Sequence, residues 1–223
     1  YWGDQPILEA PAYIGITVFF FALFGFFSTK GPLRNSLLLG TLFSLLLSWG
    51  KNMPLITDLL IDYFPFYNKF RAVSSIQVVL ELCLPISASI GLYNLFYKEK
   101  KFDFKRFIKI AVIPIILLII ILLSKGALSF SGLNDSYLRE IYGSDLFSQI
   151  KEARVSVFQA DILRGILFCA VLIIIINLYK FNRIKRGLAL GFVIFILSSD
   201  LLSIANRYVD RGAFVSNRLA SKP

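Results

Sequence analysis

The chain has 223 residues, 57% hydrophobic and only 17% charged, with a formal net charge of +10, 22 Phe, two Cys and no His. Its mean hydropathy is +0.70, and several stretches are apolar all round, where the helices of a soluble fold would show one apolar face. The lack of histidine excludes His/Cys zinc sites, Ser-His-Asp triads and histidine proton relays within this segment. Cys83 and Cys169 fall inside apolar stretches without a second cysteine at metal spacing, so they read as small hydrophobes. No metal, cofactor or disulfide is implied.

In chain order, the polar-aromatic run Tyr1-Trp2-Gly3-Asp4-Gln5 comes first, without an initiator Met, and the chain is expected to be an internal part of a longer protein. Crossing a bilayer takes about 20 predominantly apolar residues in a helix. Six stretches qualify: 12–27, 33–49, 72–97, 107–123, 162–179 and 188–205. Lipid tolerates only helices or closed barrels, and alternating barrel patterns are absent. The expected fold is therefore all-α, a polytopic transmembrane bundle of about six spans forming one domain over 1–223. Two longer connections, 50–71 and 124–161, are expected to be outer loops with interfacial helices. In the first, Pro54 to Tyr63 places Asp58 and Asp62 on one face and Leu55, Ile56, Leu59 and Leu60 on the other. In the second, no Pro or Gly interrupts Ser144 to Arg164, so the fifth span is expected to project from the membrane as one long helix.

Charge sets the expected orientation. The short connections 28–35, 98–109 and 180–186 hold twelve Lys or Arg and only two acids, Glu99 and Asp103, so the whole net charge of +10 falls there. By the positive-inside rule these connections are cytoplasmic and both chain ends extracytoplasmic, in a multi-pass protein of a bacterial cytoplasmic membrane. The basic balance thus reads as topology and contact with membrane lipids, not as a nucleic-acid interface.

Few groups could carry chemistry. Glu81 lies about nine residues into the third apolar stretch, roughly 14 Å deep at 1.5 Å per residue. An acid at that depth is expensive unless paired or wetted, so it is expected to face the bundle interior. Ser74, Gln77, Glu81 and Pro85 share one face, either as a polar cavity wall or as a packing feature. A second group, Lys69, Arg71, Asp161, Arg164, Asp200 and Arg207, falls near the outer ends of spans. Its arginines are candidates for a lipid phosphate, which guanidinium pairs bidentately, or for simple boundary anchors. Tyr1, Trp2, Asp4 and Gln5 combine rings with amide and carboxylate, suited to sugar contact or to an ordinary aromatic belt.

The runs Tyr1-Trp2-Gly3-Asp4-Gln5-Pro6, Pro11-Ala12-Tyr13-Ile14-Gly15, Lys30-Gly31-Pro32-Leu33, Leu47-Ser48-Trp49-Gly50 and Tyr67-Asn68-Lys69-Phe70-Arg71-Ala72 resemble those of bacterial YfhO-family membrane proteins. So does the tail from Asp200 through Asn206-Arg207-Tyr208 to Lys222-Pro223. The resemblance implies a relative of GT-C-type glycosyltransferases, which take sugar from a polyprenyl-phosphate carrier at the outer membrane face. It also implies further spans before Tyr1 and an extracytoplasmic part after Pro223. The catalytic acid of such enzymes lies in the first outer loop, so no catalytic residue is assigned here and Asp4 does not inherit that role. The alternatives are a lipid or polysaccharide transporter and a non-catalytic membrane scaffold.

Overall fold

The computed structural model describes residues 13–65, 73–98 and 103–208, leaving aside the side chains of Lys51, Val73 and Ser74. Among the described residues there is no strand and there are eight α-helices. These are α1 (Ile16–Ser28), α2 (Pro32–Ser48), α3 (Pro54–Tyr63), α4 (Gln77–Phe96), α5 (Phe104–Ala111), α6 (Ile113–Leu123), α7 (Asp135–Lys180) and α8 (Arg186–Tyr208). Of the described segments, four are long and apolar enough to cross a membrane: Gln77–Phe96, Phe104–Ala127, Asp135–Lys180 and Arg186–Tyr208. At 13 and 17 residues, α1 and α2 are shorter than the usual span. Gly31, at φ 117°, and Pro32 limit them at their shared turn, because proline fits the first turn of a helix and not its interior.

The described residues divide into two compact units, one within 14–111 and the other made of Tyr13 with 112–208. In the first, α4 packs along α1 at very close range. A methyl group added at Gly91 would overlap the Phe21 carbonyl, and one at Gly25 the Ser87 carbonyl. Small residues let these two backbones approach. Ser87 Oγ donates to the Ala22 carbonyl at 3.1 Å, and Asn94 Nδ2 to Ser28 Oγ at 2.8 Å, offsets of 65 and 66 residues. A constant difference means that α1 and α4 run parallel. By contrast, Ser44 Oγ donates to the Ile76 carbonyl and Gly40 faces Cys83, so α2 runs antiparallel to α4. Phe20, Phe21 and Phe24 are buried in this unit, and Phe24 stacks on Phe107 of α5 with centroids 5.3 Å apart. Helix α3 has no buried residue; Asp58 and Asp62 are exposed, as are Leu55 and Leu59.

In the second unit, α7 is two helical runs joined at Gly143, whose φ 78°, ψ 170° is open in practice only to glycine. Asp135 and Arg154 are 19 residues apart, which a straight helix would stretch to about 28 Å. They are nonetheless ion-paired at 2.8 Å, so the run up to Tyr142 folds back along the run from Ser144 as a helical hairpin. Arg154 Nη1 also donates to the Phe130 carbonyl at 3.0 Å, and Phe130 meets Phe158 edge-on. The far end of α7 closes as a Schellman turn. Asn182, at φ 57°, donates its N–H to the Tyr179 carbonyl, and Arg183 N–H reaches the Leu178 carbonyl. The turn sends α8 back antiparallel to α7.

Candidate functional site at the paired ends of α7 and α8

The apolar stretch of α7 begins near Ile162 and that of α8 ends near Ala205, so the charged residues just beyond them meet across the antiparallel pair. Arg207 donates to both oxygens of Asp161, at 2.6 and 2.7 Å, a bidentate pairing that fixes both planes. One helical turn deeper, Arg164 Nη1 donates to Ser203 Oγ at 2.7 Å, and Nη2 lies 3.4 Å from Tyr13 Oη. Arg164 also lies 3.6 Å from Asp161, a looser contact than the Arg207 pair. Its Cζ sits 5.8 Å from the Tyr13 ring centroid, within cation–π range.

Tyr13 links these groups to Asp200. Its hydroxyl donates to Asp200 Oδ1 at 2.6 Å, and Asp200 is fully buried. Ser203 Oγ, in turn, donates to the Asp200 backbone carbonyl at 2.8 Å, which orients its lone pairs toward Arg164. A buried carboxyl is costly unless it accepts hydrogen bonds of this kind. Counted as ionised, the cluster has two arginines and two aspartates, yet the pairing is uneven. Asp161 is committed to Arg207, while Arg164 has mainly neutral hydroxyls, and its buried Nε–H has no acceptor among the described residues. Arg164 is therefore the cation with unspent donor capacity, at 18% side-chain exposure.

Of the sequence candidates, Asp161, Arg164 and Asp200 come together, and Arg207 joins them. Tyr1, Trp2, Asp4, Gln5, Lys69 and Arg71 lie outside the described residues. Glu81 does not meet the expectation of an inward-facing acid, for it is exposed on α4. The cause is the face it occupies: Cys83, Leu84, Ser87 and Ala88 are the buried side of α4, with α2 packed beside Cys83, whereas Glu81 shares the exposed side with Val78, Leu82 and Pro85. Pro85 follows four residues later without a break in α4, lacking the N–H that would bond the Glu81 carbonyl. Sequence reasoning passed over Tyr13 and Ser203 as site residues. The spacing of Ser203, three after Asp200 and four before Arg207, was the available signal.

Among the described residues no three His, Cys, Asp or Glu are placed to hold a metal ion. No protein-family model, curated protein or solved structure matches the chain. What is established is the class: the described residues are all-helical and include four candidate membrane-spanning helices.

Proposed function

We propose that the chain is part of a YfhO-like integral membrane protein, a GT-C-related glycosyltransferase drawing sugar from a polyprenyl-phosphate donor at the outer face of a bacterial cytoplasmic membrane. The observation that carries this reading is the Arg164 cluster. It lies at the end of α7 and α8 opposite the basic 180–186 turn, with a cation whose donors are not all used. A lipid-linked phosphate fits Arg164, because guanidinium donors bind phosphate oxygens in a planar, charge-assisted way. Asp161 and Asp200 then act as orienting groups, Asp161 on Arg207 and Asp200 through Tyr13. No residue of this chain is assigned as the catalytic acid.

The reading carries six crossings, with α1 and α2 as the two short ones and α3 lying in the outer interface. The alternation of α1, α2 and α4 and of α7 and α8 supports such a serpentine path. A transporter path lined by Glu81 has less support, since that carboxyl is exposed and α4 is unbroken. The test is transfer of labelled sugar from a synthetic polyprenyl-phosphate donor by the full-length protein in proteoliposomes. Loss of label from the donor into a polymeric or lipid acceptor is expected, with a fall in Arg164→Ala. A donor left intact under conditions where the protein is folded would refute the reading.

A further inference from the structure

The first unit carries a second feature, remote in character from the Arg164 cluster. Its chemistry starts at the C-terminal end of α1. Arg106 Nη2 donates to the Phe27 carbonyl at 2.6 Å, and Asn94 Nδ2 donates to Ser28 Oγ and Thr29 Oγ1. These bonds, with the Phe24–Phe107 stack, draw the α1–α2 turn, the end of α4 and the start of α5 to one end of the unit. Lys30, Arg34, Lys98, Lys105, Arg106 and Lys109 therefore gather there; Arg34 is half-buried and the others exposed. None of them forms an ion pair among the described residues, where the three ion pairs present all lie in the other unit. The one described acid nearby, Asp103, is engaged as the cap of α5, accepting the Arg106 backbone N–H at 3.1 Å.

Beside the bases lies an exposed aromatic band. Tyr93 and Tyr97 stack at 5.8 Å and are 59% and 51% exposed, while Phe27 and Phe104 are about half-exposed. Bases in excess over acids beside exposed rings, at the end of apolar helices, are the pattern of a membrane–water interface. A net excess of bases selects among lipids, because anionic headgroups concentrate counter-charge that zwitterionic ones do not.

We propose that this end of the first unit is a binding surface for anionic phospholipid headgroups. Lys30, Lys105 and Lys109 contact the lipid phosphates, Arg106 braces the surface from the α1 carbonyl, and Tyr93 and Tyr97 lie against the glycerol region. The proposal rests on the chain spanning a membrane and not on sugar transfer, so it can fail while the transferase reading stands, and the reverse.

The test uses the full chain in neutral detergent, offered equal phosphatidylglycerol and phosphatidylcholine, with the lipids retained counted by native mass spectrometry. Preferential retention of phosphatidylglycerol is expected. Lys105→Gln and Lys109→Gln should each lower that preference about fivefold, the effect of one base near an anionic surface. Lys151→Gln, an exposed base of the other unit, should leave it unchanged. Should the α5 variants fail to fold, Lys30→Gln, which lies between helices, carries the same expectation. Equal retention of the two lipids, or a preference indifferent to the lysines that fold, would overturn the proposal. So would loss of the preference in inorganic phosphate but not in chloride of matched ionic strength, which would mark a free-phosphate site.

Discussion

At the level of single residues, the α7–α8 end is held by hydrogen bonds that terminate on two carboxylates with different duties. Asp161 is an ion-pair partner, and Asp200 is a buried acceptor for the Tyr13 hydroxyl. Asp200→Ala removes the fully buried acceptor of the Tyr13 hydroxyl, and the loss of such a hydrogen bond costs about 1–3 kcal/mol. A lower melting temperature in detergent is expected, with a smaller effect for Asp161→Ala at the more exposed pair. Asp135 gives the pH dependence of the hairpin. Its hydrogen bonds to the Arg154 guanidinium hold its carboxyl below the ordinary value of 3.8, with burial opposing. A depressed carboxylate stabilises the fold fully above its unfolded value and loses that contribution as pH falls through the lower folded one. Amide protection in residues 128–142, measured against the intrinsic exchange rate at each pH, should therefore fall as pH drops below about 3.8, and Asp135→Asn should remove that dependence. Asp161, Arg164 and Asp200 could be grouped from sequence because charge next to the ends of apolar stretches marks a shared depth. Ser203 carried only its spacing from Asp200 and Arg207 as a mark, and Tyr13, far away in the chain, carried none. Glu81 was misjudged because depth in a span says nothing about which face of the helix its neighbours cover.

At the level of helices, two glycines decide geometry. The α1–α4 contact leaves no room at Gly91 for a side chain, so Gly91→Val must push the helices apart or bend one. Overpacking of this kind typically costs about 1–3 kcal/mol, and a fall in the yield of folded protein on size exclusion would register it. Gly143 turns the α7 hairpin with a backbone that other residues enter only under strain of about 1–3 kcal/mol. Gly143→Ala should loosen the Asp135–Arg154 pairing, detectable as faster proteolysis near Tyr142, while the melting of the α7–α8 pair stays put. The bounds of α3 were readable because Pro54 opens it and Pro65 follows it, the two positions at which proline punctuates a helix. The uninterrupted helix running on from Ser144 was readable as well, but not the reversal at Gly143 that precedes it. That reversal depends on Arg154 finding Asp135 and the Phe130 carbonyl, contacts that no local pattern announces.

For the whole molecule, composition alone gave the helical membrane class, because long all-round apolar helices have no other stable solvent. The number of crossings was less legible: an apolar stretch records hydropathy, whereas helix length also depends on where glycine and proline stop it, as between α1 and α2. The charge split predicts that single cysteines placed at Lys30 and Lys185 react only after the membrane is made permeable, whereas one at Ser136 reacts in intact cells. Cys83 and Cys169 are buried and should add little background. The most direct test of the central reading is photo-crosslinking of the full-length protein in bilayers with a photoreactive polyprenyl phosphate. Crosslinks are predicted to map to α7 and α8 around Arg164 and Ser203, and Arg164→Ala should reduce them about tenfold, the loss of one charge-assisted contact. Label spread evenly along the apolar faces and unchanged in Arg164→Ala would contradict it.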